Sequence, residues 1–173
     1  MTYLSIIDKL CIKRLYLPYN INLHDLRVNK IKNPINKSIC DCSSCHIACI
    51  FQGELYNNNI LSIGCNYYYK DSFSTIHAEI DAIQKLKYNN ERKKSKSINL
   101  LVIRVNKNGL LQMSKPCQNC IFNMNIDAYK KGYNIKKIVY SLENGELEYT
   151  TYSKLYYSKD FHISKYYRKK TFS

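Results

Sequence analysis

Residues 98–141, INLLVIRVNKNGLLQMSKPCQNCIFNMNIDAYKKGYNIKKIVYS, run as strand, helix, strand. INLLVIRV (98–105) is β-rich and apolar on both faces, as a strand buried in the middle of a sheet must be. MSKPCQNCIFNMNIDAYKKG (113–132) follows as a helix. Pro116 suits its first turn, where the missing N–H has no partner to lose, and Gly132 is a fitting stop. IKKIVYS (135–141) returns to strand. ENG (143–145) then makes a tight turn into ELEYTTY (146–152), a last antiparallel strand.

Upstream of this block, HIACIFQ (46–52) and ILSIGCN (60–66) read as two strands joined by the polar turn ELYNNN (54–59). DSFST (71–75) leads into HAEIDAIQKLKY (77–88), where Ile76, Ile80, Ile83 and Leu86 recur at helical spacing. Ser74 or Thr75 is placed to cap that helix. NNERKKSKS (89–97) is a charged surface loop. Residues 3–17 read as an amphipathic helix, with Ile6, Ile7, Leu10, Cys11 and Leu17 giving a rough apolar stripe before Pro18. Residues 18–44, rich in Asn and Lys, read as an irregular connection or insertion. The architecture expected is α/β, three-layered, a mixed five-stranded sheet covered by helices. It divides into an N-terminal extension (1–44), a core (45–155) and a basic, tyrosine-rich tail (156–173), within a single domain.

The 173 residues, 45% hydrophobic, are enough to close one core. The longest apolar runs, IACIF (47–51) and LLVI (100–103), are far too short to span a bilayer. MTYLSIIDKLCIKRLYL (1–17) lacks a signal-peptide cleavage site, so a cytoplasmic, reducing location is expected, with no membrane partner. There, eight cysteines point to metal binding or ordinary burial rather than disulfides. The net charge of +14 invites nucleic acid, but it comes from 22 Lys and only 5 Arg. Phosphate and base recognition favours the forked guanidinium. An abundance of Ile, Asn, Lys and Tyr also suggests A/T-rich codons as the source of the lysines.

Two short segments carry chemistry: His77-Ala78-Glu79 and Pro116-Cys117-Gln118-Asn119-Cys120. Cys117 and Cys120 are one helical turn apart, so both sulfurs can face one ion. The positive end of a helix favours the thiolates a metal requires. With His77 as a third ligand, a tetrahedral Zn²⁺ keeps one position open for water, the mark of a catalytic site. Glu79 sits near the ion without having to ligate it, and can move protons. H-x-E with P-C-x-x-C is the known signature of zinc nucleobase deaminases. Each half alone is weak, since a cysteine pair can simply be buried and a single His can be a satisfied core residue.

On these motifs, residues 45–141 resemble the core of the cytidine deaminase-like superfamily. CHIACIFQGELYNNNILSIGCNYY (45–68) is similar to the opening hairpin of that family, which ends in Gly-x-Asn, here Gly64-Cys65-Asn66. The resemblance implies that Asn66 meets the sugar or base; Asn66 also reads as a turn residue tolerant of left-handed geometry. Ala48 matches a small residue lining the base pocket of relatives, and Ala78 and Pro116 complete the substrate-binding residues implied. The family pattern is broken at Tyr68, where free-nucleoside cytidine deaminases usually carry Glu, which points away from plain cytidine. The reaction implied is hydrolytic deamination of a cytosine nucleoside or nucleotide. A zinc-activated water attacks the amine-bearing ring carbon, Glu79 shuttles the protons, and zinc is the only cofactor.

Other segments are less decided. Cys40, Cys42, Cys45 and His46 form C-x-C-x-x-C-H. This is not the spacing of a standard zinc module, though some deoxycytidylate deaminases carry a second, structural zinc near here. Cys49 reads as a small core hydrophobe. The tail YTTYSKLYYSKDFHISKYYRKK (149–170) could stack bases or pack its tyrosines on the sheet. Two alternatives therefore stand beside the small-substrate enzyme: an editor of polymeric nucleic acid, acting on tRNA adenosine or single-stranded cytosine, and an idle member of the fold serving as an interaction protein. Weak nucleic-acid binding and homo-oligomerisation stay open at this point.

Overall fold

A computed structural model describes residues 37–38, 44–53, 59–69, 75–90, 95–106, 108, 110–159 and 162–163. The strands are β1 (Lys37–Ser38), β2 (Ser44–Phe51), β3 (Ile60–Cys65), β4 (Tyr67–Tyr69), β5 (Thr75–Ile76), β6 (Lys96–Asn106), β7 (Leu111–Gln112), β8 (Tyr133–Ser141) and β9 (Leu147–Thr151). The helices are α1 (Ala78–Lys85), α2 (Gln118–Lys130) and α3 (Tyr152–Tyr156).

Five strands lie in the order β3-β2-β6-β8-β9, and β7 adds a short sixth by pairing with β6. β6 and β8 are parallel, as the crossover through α2 requires, while the other pairs are antiparallel. The mixed α/β sheet expected from the sequence is present. β6, eleven residues long and central, is the strand read from INLLVIRV. A separate small sheet, β1-β4-β5, was not anticipated, because strands of two or three residues leave no periodicity to read. The helix expected over residues 3–17 lies outside the described residues.

Side chains alternate across the sheet. Ala48 and Ile50 of β2, Leu100 and Val102 of β6, and Ile138 and Tyr140 of β8 pack with Ala82 and Ile83 of α1 and Met124 and Ala128 of α2. Ile47, Cys49, Leu101, Ile103 and Val139 form a second cluster on the opposite face. At eight residues α1 is too short to be stable alone, and it is held by contact with β3. Gly64 permits that contact: a Cβ there would lie 2.2 Å from the Ala78 carbonyl oxygen and 2.3 Å from the Ala82 nitrogen. Ser62 of β3 adds a hydrogen bond from its hydroxyl to the Ala82 carbonyl at 2.9 Å. Gly64→Ala must push the helix backbone off the strand. It should cost about 3 kcal/mol, the upper end of overpacking effects, as read by denaturant unfolding; an unchanged midpoint would contradict so close a contact.

Both helix starts come later in the chain than expected. α1 is capped by His77 rather than Ser74 or Thr75, because β5 carries extended backbone through Ile76. α2 is capped by Cys117, so Pro116 lies just before the helix instead of in its first turn. The tail also holds a short helix, α3, whose Thr151 cap accepts a hydrogen bond from the Lys154 N–H at 3.2 Å. Among the described residues no helix is long and apolar enough to cross a membrane.

Candidate active site

His77 and Cys117 occupy the same place in their helices. Each is the N-cap, each has extended backbone (φ −76°, ψ 152° and φ −72°, ψ 158°), and neither side chain caps its own helix. The first turns close through backbone bonds from Asp81 to His77 and from Ile121 to Cys117. Both cap side chains are therefore left to point at each other across the contact between α1 and α2. Cys120, one turn into α2, joins them. His77 Nδ1 lies 3.6 Å from Cys117 Sγ and 3.1 Å from Cys120 Sγ. The three ligating atoms all fall within 4.8 Å of one another.

That spacing fits a tetrahedral metal. Ligands about 2.0–2.3 Å from zinc stand roughly 3.5 Å apart, and the two nitrogen–sulfur distances, 3.6 and 3.1 Å, bracket this value. The electrostatics agree with it. A hydrogen bond from Cys120, with the His77 imidazole beside it, holds the Cys117 thiol down at about 4, well into the thiolate range. Cys120, as donor in that pair, is raised. His77 is raised by its hydrogen bond with Cys117. Cys49, by contrast, is pushed up to about 12 by burial and stays an inert core thiol. Zinc with a mixed N/S ligand set is the metal this chemistry suits.

Glu79 is buried, 4% exposed, on the first turn of α1. Burial raises its carboxyl above the usual range, against the pull of His77. Asn66 follows β3 directly. Its Oδ1 accepts the His46 N–H at 2.9 Å and its own N–H reaches the His46 carbonyl at 3.3 Å, which leaves the Nδ2 donors as what its side chain can offer a ligand. Ala48 and Ala78 are wholly enclosed, and Pro116 is among the fully buried side chains. The side chains of Cys45 and Tyr68, and all of Cys40 and Cys42, lie outside the described ones.

Several supporting residues went unseen in the sequence. Asp81 is buried on α1; its Oδ2 accepts the Cys65 N–H at 2.9 Å and pairs with Lys85 Nζ at 2.6 Å. It fixes the strand end that carries Asn66 against the helix that carries Glu79. Ser114 and Ser141 fill the place where β6 and β8 part. Ser114 Oγ donates to the Val102 carbonyl at 2.8 Å and accepts the Ser141 N–H at 2.8 Å, while Ser141 Oγ donates to the Gln112 carbonyl at 2.7 Å and accepts the Arg104 N–H at 3.2 Å. This network delivers the loop to Cys117. The tail reaches the site too: the His162 carbonyl accepts the Gln118 N–H at 2.9 Å, at the first turn of α2.

Residues 24–141 match the family model described as the cytidine and deoxycytidylate deaminase zinc-binding region. The chain belongs to that family. For this zinc deaminase, His77, Cys117 and Cys120 fall within the matched span, as do Glu79 and Asn66. Among solved structures it is similar to the crystal structure of cytidine deaminase from Mycobacterium leprae, at 16% identity and a TM-score of 0.41, covering 80% of this chain and 100% of that one. No curated protein matches the deaminase sequence.

Proposed function

We propose that the chain is a hydrolytic deaminase of a cytosine nucleoside or nucleotide, of CMP or dCMP type. The observation that carries this reading is the convergence of His77, Cys117 and Cys120 to within 4.8 Å, with buried Glu79 on the first turn of the same helix that His77 caps. His77, Cys117 and Cys120 hold the zinc, which when bound supplies the Lewis acidity that brings water's pKa near neutrality. Glu79 accepts the proton that water loses on attack at the amine-bearing carbon. It passes that proton to the ring nitrogen. It then takes the proton of the newly added hydroxyl as that oxygen becomes the carbonyl and hands it to the departing amine as the C–N bond breaks, so that cytosine and water become uracil and ammonia. Asn66 holds the sugar through Nδ2, and Ala48, Ala78 and Pro116, all fully buried, back the base site from the core.

Two features favour a small substrate over a polymer. β9 pairs antiparallel with β8, the arrangement of relatives that mostly use small substrates. The His162 carbonyl accepts the Gln118 N–H at the first turn of α2, so backbone of this chain lies beside the metal ligands, where a polynucleotide needs an open groove. Ammonia release should be measured with cytosine, adenine and guanine compounds, free and within single-stranded DNA and tRNA. Turnover of a free cytosine nucleoside or nucleotide is expected, with none of the polymers. Deamination of a base in a polynucleotide, with no free nucleotide turned over, would replace this reading with the editing one.

A further inference from the structure

Two polar residues that this chemistry does not use stand beside it. β2 and β6 run antiparallel with Ala48 opposite Val102 and His46 opposite Arg104. Ala48 and Val102 belong to the helix-side core, while Ile47 and Ile103 belong to the other face. Alternation therefore places His46 and Arg104 on the helix side, at the strand ends next to the site. His46 is joined to Asn66 by hydrogen bonds in both directions. Its imidazole is held down at about 4, first by burial and then by the charges of Arg104 and His77, so it is neutral at pH 7 and lies within electrostatic reach of both. Arg104 is held by its backbone on two sides: its N–H meets Ser141 Oγ, and it pairs with Gln112 of β7.

Asn66, just past the end of β3, His46 of β2 and Arg104 of β6 thus form a row from the sheet edge toward its centre. Their backbones are spaced by the strand separation, so about 10 Å lies between the first and the last. With the sugar at Asn66, a group carried on it falls within the about 10 Å that this row spans. A guanidinium is always charged and matches two phosphate oxygens with its fork. The neutral imidazole beside it can hydrogen-bond the same group without adding a charge. We infer that Arg104, with His46 at its side, is the position that recognises the phosphate of a nucleoside monophosphate substrate. The inference rests on the deaminase reading above and sharpens it from nucleoside or nucleotide to nucleotide.

The test uses the zinc-loaded full chain, Arg104→Gln and Arg104→Lys, with CMP and dCMP set against cytidine and deoxycytidine. The wild type should favour a monophosphate in kcat/KM. That preference should fall about 100-fold in Arg104→Gln and about 10-fold in Arg104→Lys, which keeps the charge but loses the fork. Calorimetric titration with CMP, UMP and uridine reads the same contrast without turnover: affinity for the two monophosphates should fall in both variants relative to uridine. A preference ratio unchanged in both variants, or equal losses for nucleosides and nucleotides, overturns the assignment. The two readings fail separately. Arginine-dependent CMP binding with no deamination of any compound leaves the phosphate site standing and removes the deaminase. Deamination of nucleoside and nucleotide alike, indifferent to residue 104, does the reverse.

Discussion

Glu79→Ala should reduce turnover about a thousandfold while zinc stays bound. General acid–base groups contribute about 10²- to 10⁴-fold, and here one carboxyl is asked to carry every proton in the reaction. Glu79 is 4% exposed, so no bulk solvent stands ready to replace it. Glu79→Gln keeps the shape and removes the titrating group, and should lose as much activity as the alanine variant. The measurements are steady-state ammonia release and zinc content on the same samples. Activity near wild type with either substitution would mean that another group moves the protons.

Replacing Cys117 or Cys120 with serine should remove the metal and lower stability together. The unmutated chain should carry about one zinc, the number expected of a three-ligand catalytic site. Metal that binds only the folded chain stabilises it by mass action, about 4 kcal/mol at a thousandfold excess over the dissociation constant. For a chain of this size that corresponds to roughly 10 °C in Tm. Each serine variant should show that fall and a zinc content near zero. Full zinc retention in both variants would dissolve the proposed ligand set. Two zinc ions per chain, with half lost in Cys42→Ser, would instead place a second ion among Cys40, Cys42 and Cys45.

The parts of the fold visible in the sequence were those with a long, consistent pattern. β6 was legible because eight consecutive residues suit a buried strand, and α1 because Ile80, Ile83 and Leu86 keep helical spacing. The site was legible because His77 and the Cys117–Cys120 pair depend on local geometry at two helix starts. Their neighbours depend on register, which one sequence does not display. Arg104 comes opposite His46 only through the pairing of β2 with β6, and the sequence offered no cluster of arginines to draw attention to it. Asp81 had a readable hint in its i,i+4 spacing from Lys85, but its partner Cys65 lies 16 residues away in another element. The helix starts were misplaced because side chains that face a shared site, rather than their own helix, do not announce a cap.

The serine network also bears on how the molecule opens. The N–H groups of Arg104, Ser114 and Ser141 are all engaged at the seam between β6, β8 and the loop before Cys117, and Ser114 and Ser141 are buried. Amides of this kind exchange with solvent only when a cooperative unit of the structure comes apart. The loop before Cys117 therefore shares the lifetime of the central sheet instead of that of a surface loop. It is an abutment rather than a gate, and substrate entry and product release have to be accommodated by motion elsewhere around the site.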